Sequence, residues 1–118
     1  MGLMIQVEAF DVWQTPKVKN DYSKHFDKWH EQDLRDMIRT YRNSPSVVMW
    51  SIGNEIMEQA HKTKGREIAH KLASICRDED SFRPVTAGFN YYPAPINNGL
   101  AEALDLVCLL YTSPSPRD

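Results

Sequence analysis

An amide and a carboxylate stand side by side at Asn54 and Glu55, where the apolar run Val47-Val48-Met49-Trp50-Ser51-Ile52-Gly53 ends. A carboxylate delivered by a strand end can serve as a general acid or base, and a neighbouring amide can hold a hydroxyl group. Taken alone, the same pair also reads as a helix start, with the asparagine capping and the glutamate favouring the positive end of the helix dipole. Glu8 and Asp11 form a second acidic pair, directly after the β-prone run Leu3-Met4-Ile5-Gln6-Val7. A third polar group, Asn90 with Tyr91, follows the apolar run Val85-Thr86-Ala87-Gly88-Phe89, and Trp13 lies in the loop beyond Asp11.

Positioning these groups requires the elements between them. Phe26, Trp29, Leu34, Met37, Ile38 and Tyr41 recur at three- and four-residue steps, with Lys28, Glu31, Asp33, Arg35, Asp36 and Arg39 between them, which predicts an amphipathic helix over 26–42. Asn43-Ser44-Pro45 ends it, because proline disfavours helical geometry in the residue before it. A second helix is expected to carry Ile68, Leu72, Ile75 and Cys76 on one face, with Thr63 as its cap, until Arg83-Pro84 breaks the pattern. A short helix around 98–104 should lead into a fourth strand at Asp105-Leu106-Val107, while 13–22 reads as a polar surface loop. Strands alternating with helices imply an α/β fold with a parallel sheet, since a parallel connection needs a crossover long enough for a helix. The candidate polar groups all follow strands, where barrel and open-sheet enzymes keep their chemistry.

Composition removes several classes of function. With 42% hydrophobic and 25% charged residues over 118 positions, the chain suffices for one small domain. A net charge of −2 gives no electrostatic footprint for nucleic acid or a membrane surface. No apolar segment approaches the roughly 20 residues that span a bilayer, and residues 1–5 lack a signal peptide's basic start. Cys76 and Cys108 show no paired spacing, and His25, His30, His61 and His70 show no ligand spacing, so neither a disulfide framework nor a metal site is indicated. Cys76 reads as a small core residue, and Trp50 as core.

Glu8-Ala9-Phe10-Asp11, the run from Asp36 to Val47, and Trp50-Ser51-Ile52-Gly53-Asn54-Glu55 together resemble the catalytic barrel of family 2 glycoside hydrolases, most of all bacterial β-galactosidases. The resemblance covers 2–107, with Ile56 to Gln59 continuing it. It implies part of a (β/α)8 TIM barrel, about strands three to six. It implies further that Glu55 is the acid/base of a retaining glycosidase and that Asn54 holds the sugar's 2-hydroxyl. The nucleophile would belong to strand seven, beyond this chain, and Met1 would be an internal methionine. Glu8, Asp11, Trp13 and Asn90 are further candidates for substrate binding. The two acids could equally pair with an arginine inside the barrel, and the tryptophan could equally be packing.

The expected partner is therefore a carbohydrate, with a β-galactoside as the leading substrate and a β-glucuronide or β-mannoside as alternatives. No cofactor is expected. Related β-galactosidases carry a magnesium-binding Glu and His just after strand three, whereas the matching positions here are Val12 and Gln14, so no metal is expected either. Val7 likewise stands where relatives commonly carry an aspartate. Residues 108–118 are similar to the translation of a sequencing-library adapter, which predicts a domain over 1–107 and a non-native tail, and leaves Tyr111 out of the site. A reading of another class is that the 118-residue chain is a non-catalytic fragment, its two sheet edges unpaired.

Overall fold

The computed structural model of the chain describes residues 2–61 and 63–110. Strand β1 (Ile5–Glu8) is followed by helix α1 (Ser23–Tyr41), strand β2 (Val47–Asn54), a 3-10 turn (Met57–Ala60) and helix α2 (Lys64–Glu79). Strand β3 (Val85–Phe89), the short helix α3 (Ala94–Asn97), a second 3-10 turn (Leu100–Ala103) and strand β4 (Cys108–Leu109) complete the order. The strands form one sheet in the order β1-β2-β3-β4, with each neighbouring pair parallel. This is the expected α/β architecture, a four-stranded portion of a TIM barrel.

The register sorts the residues by face. Val7, Trp50 and Val85 occupy one row across β1, β2 and β3, while Glu8, Ser51 and Thr86 occupy the next. Side chains alternate along a strand, so Trp50, Ile52, Val85, Ala87 and Phe89 share the face that packs on the helices. Glu8, Ser51 and Thr86 take the opposite face. Helix α1 contributes Phe26, Leu34 and Ile38 to the core, and α2 contributes Ile68, Ala69, Leu72, Ala73, Ile75 and Cys76. Among the described residues, no helix is long and apolar enough to cross a membrane.

Four local readings need correction. Trp29 and Tyr41 are 39% and 47% exposed, so the buried stripe of α1 is narrower than its apolar pattern. His30 takes a core position instead, stacked on Phe26 at 4.7 Å with Nδ1 hydrogen-bonded to the Phe26 carbonyl. Thr63 occupies the N-cap position of α2, but its side chain makes no capping hydrogen bond. The helix expected over 98–104 is instead a 3-10 turn over Leu100–Ala103, separated from α3 by Gly99, whose φ of +85° is the left-handed conformation glycine tolerates.

The fourth correction concerns β4, which starts at Cys108 rather than Asp105. The Asp105 carboxylate accepts the Val85 N–H, while the Asp105 and Leu106 N–H groups both reach the Val85 carbonyl. Residues 105 and 106 therefore fasten the start of β3 without entering the ladder. Pairing begins with Gly88 opposite Cys108 and Phe89 opposite Leu109. The predicted domain boundary at 107/108 thus falls at the start of β4, and residues 111–118 lie outside the described residues.

At the opposite end of the sheet from Glu55, Asp80 and Arg83 clasp the core. Arg83 donates to Asp80 Oδ2 at 2.7 Å and to the carbonyls of Val47 and Ser44, and its guanidinium lies over the Trp50 ring. Trp50 Nε1 donates to the same carboxylate at 3.1 Å. Burial pushes the Asp80 carboxyl upward, but hydrogen bonds from Arg83, the Phe82 N–H and Trp50 outweigh it and hold the pKa below the ordinary value of 3.8.

Candidate active site

The C-terminal ends of β1, β2 and β3 meet through backbone hydrogen bonds that continue past the ladder. The Asn54 N–H donates to the Phe10 carbonyl at 3.2 Å, and the Glu55 N–H donates to the Gly88 carbonyl at 2.9 Å. Glu55 has a φ of +48°, in the left-handed region. That conformation costs a non-glycine residue about 1–2 kcal/mol and concentrates at functional sites. It turns the chain out of the strand so that Glu55 lines a cavity of about 200 Å³ with Lys17, Met57, Gln59, Asn90 and Tyr91.

Asn54 is braced beside the cavity. Its Nδ2 donates to Asp11 Oδ1 at 3.1 Å, and its carbonyl accepts the Lys17 ammonium at 2.7 Å. Lys17 closes the triangle with an ion pair to Asp11 at 3.0 Å. The Asn54 amide and then Lys17 hold the Asp11 carboxyl below its ordinary 3.8, so it stays ionised under mildly acidic conditions. Asp11 thereby fixes which end of the Asn54 amide is turned to it: the amino group binds Asp11, and the Asn54 oxygen has no hydrogen-bond donor among the described residues.

The 3-10 turn after Glu55 pins the loops on both sides. Glu58, 1% exposed, accepts the Thr15 N–H through Oε2 at 2.8 Å. Gln59, 2% exposed, holds Asn90 and Tyr91. The turn sits tightly on α2, because a Cβ on Gly65 would lie 2.3 Å from the Glu58 carbonyl oxygen.

Of the six residues singled out from sequence, Glu55 and Asn90 line the cavity, and Asn54 and Asp11 form the brace beside it. Glu8 stands apart on the helix-free face, where its carboxylate accepts the Ser51 hydroxyl. Trp13 is corrected from a sugar platform to core. It is fully buried, its Nε1 donates to the Ile52 carbonyl at 2.8 Å, and its indole lies against Gly53, leaving no ring face for a ligand. Lys17 and Gln59 are cavity residues that the sequence reading did not select; the position of Gln59, four residues past Glu55 in the motif's continuation, was the available signal. Among the described residues, no group of three or more His, Cys, Asp or Glu could hold a metal ion.

A parallel helix-backed sheet with polar side chains gathered at its C-terminal strand ends, Glu55 turned out of β2 and Asn54 braced beside it, is the arrangement found in α/β barrel domains. Residues 4–113 match the family described as glycosyl hydrolases family 2, TIM barrel domain, and the chain belongs to that family. A β-galactosidase of Bacteroides ovatus is 38% identical over 120 aligned residues, which cover 76% of this chain and 14% of that protein. A putative β-glucuronidase of Formosa agariphila is 34% identical, covering 75% of this chain and 8% of its own length. The solved structure of a family 2 glycosyl hydrolase from Bacteroides cellulosilyticus superposes with a TM-score of 0.86 at 37% identity, covering 93% of this chain and 14% of that one. The chain thus spans about a seventh of the length of the Bacteroides relatives.

Proposed function

We propose that this segment supplies the acid/base half of a retaining β-galactosidase site. Glu55 protonates the glycosidic oxygen as the bond to the anomeric carbon breaks, then takes a proton from the water that releases the sugar. A second carboxylate, about 5 Å from the Glu55 carboxyl, attacks the anomeric carbon from the opposite face, and by the family resemblance it would lie on strand seven of the full-length protein. The Asn54 oxygen, freed by the Asp11 bond to its amino group, accepts the 2-hydroxyl proton as positive charge develops at the anomeric carbon. The observation that carries this reading is the left-handed Glu55, held to β3 through Gly88 and facing the cavity. In the full-length protein, Glu55→Gln should lower turnover of an alkyl β-galactoside by about 10²–10⁴-fold, and unchanged turnover would sink the assignment.

A β-glucuronide substrate is the second reading, favoured by relatives named β-glucuronidase at 34% and 31% identity. Comparing kcat/KM for paired aryl β-galactoside and aryl β-glucuronide substrates decides between them. The 118-residue chain alone, lacking the opposing carboxylate, is expected to turn over neither.

A further inference from the structure

The amide of Asn90 is oriented by a chain of hydrogen bonds whose starting point cannot reverse. Gln59 Oε1 accepts the backbone N–H groups of Asn90 and Tyr91 at 3.1 and 3.2 Å. Backbone N–H groups only donate, so the Gln59 oxygen must face them and its amino group must point the other way. That amino group meets the Asn90 side chain at 2.7 Å. Only an acceptor can stand there, which fixes Asn90 with Oδ1 toward Gln59 and Nδ2 away from it. Gln59 is itself immobilised: it is 2% exposed, and its carbonyl accepts the Asn98 Nδ2 at 2.8 Å. The Asn90 Nδ2 has no hydrogen-bond acceptor among the described residues, and Asn90 lines the same cavity as Glu55.

We propose that Gln59 is a positioning residue that makes Asn90 an obligate hydrogen-bond donor to an oxygen lone pair of the sugar bound over Glu55. The inference rests on the reading of this cavity as a carbohydrate site and adds a polarity to one wall of it. Asn54 and Asn90 then present opposite functions to the substrate: Asn54 offers its amide oxygen, because Asp11 takes its amino group, and Asn90 offers its amino group, because Gln59 takes its oxygen. Neither orientation depends on the substrate, so both are set before it arrives.

The test exchanges the polarity without emptying the site. In the full-length protein, Gln59→Glu retains an oxygen for the two backbone N–H groups but places a second acceptor against Asn90. Asn90 must then reverse its amide to donate, turning Oδ1 into the cavity. KM for an aryl β-galactoside is expected to rise about tenfold with a smaller change in kcat. In an Asn90→Ala background the same substitution should change KM less than about twofold, because the group it acts through is gone. Equal KM increases in both backgrounds, or no increase when Asn90 is present, would overturn the proposal. Asn90→Asp tests it from the exposed side, should the buried carboxylate prevent folding: it still accepts from Gln59 but presents an acceptor to the sugar. A rise in KM of about tenfold at unchanged Tm is expected there, and an unchanged KM overturns the proposal. Glu55→Gln, measured in parallel, separates the readings: a kcat loss there with silent variants at 59 and 90 removes only the Gln59 inference, whereas a silent Glu55→Gln removes the acid/base assignment beneath it.

Discussion

Replacing Asp11 with alanine should weaken catalysis through Asn54 and through one position of the sugar. The substitution removes the acceptor of the Asn54 Nδ2 at 3.1 Å and the ion-pair partner of Lys17 at 3.0 Å, while Lys17 keeps its bond to the Asn54 carbonyl. The Asp11 side chain is 71% exposed, so solvent screens both interactions and the ion pair carries little of the effect. A hydrogen bond to a charged but exposed acceptor is worth about 1 kcal/mol, and releasing the Asn54 amide to rotate forfeits about that much of its bond to the 2-hydroxyl. The expected loss in kcat/KM is therefore about fivefold. Steady-state kinetics on an aryl β-galactoside and its 2-deoxy analogue supply the assay: the loss should appear with the first and be nearly absent with the second. Equal losses on both substrates would refute the link from Asp11 through Asn54 to the 2-hydroxyl. The pH behaviour follows from the depressed Asp11 pKa: its ionised form persists below 3.8, so the difference between the two proteins should hold from neutrality down to that value and close only as pH falls further.

Trp13→Phe keeps the ring packing but strands the Ile52 carbonyl, and should cost about 1–3 kcal/mol in denaturant unfolding while leaving KM unchanged. Arg83→Ala leaves the Asp80 carboxylate buried without its cation and should destabilise by about 3–5 kcal/mol, read from the same titration. The Asp80 pKa is lowered on folding, so its contribution is present above 3.8 and lost as pH falls through the depressed value; Asp80→Asn should flatten that acid limb in a thermal melt. Gly65→Ala forces the Glu58 carbonyl away from α2 and should cost about 1–3 kcal/mol, with a KM increase because the displaced turn carries Gln59.

The sheet was legible where strands are covered on both sides or bounded by hard breaks. Val85–Phe89 has the bounds expected of it, and β2 runs one residue past the apolar run, to Asn54, because backbone bonds to neighbouring strands extend past the apolar residues. Asp105 misled because its side chain substitutes for a ladder bond, an event that hydropathy does not record. Trp29 and Tyr41 misled in another way, since an apolar pattern does not tell which flank of a helix meets its neighbour, and His30 filled the core position by bonding to its own helix. In the site, Glu55 and Asn54 were readable because one short motif carries both. Lys17 and Gln59 were not, because their roles exist only where loops distant in sequence converge: Lys17 reaches Asn54 across 37 residues and Gln59 reaches Asn90 across 31. Trp13 has the residue type of a sugar platform, and only its hydrogen bond to Ile52 and its burial against Gly53 assign it to packing.

The central claim is that Glu55 donates a proton to the departing oxygen, and the dependence of its loss on the leaving group tests that most directly. For Glu55→Gln in the full-length protein, the fall in the rate of glycosidic bond cleavage should be about 10²–10⁴-fold for an alkyl β-galactoside. It should shrink to within about tenfold for a dinitrophenyl β-galactoside, whose leaving oxygen departs without protonation. The same loss on both substrates would contradict the account.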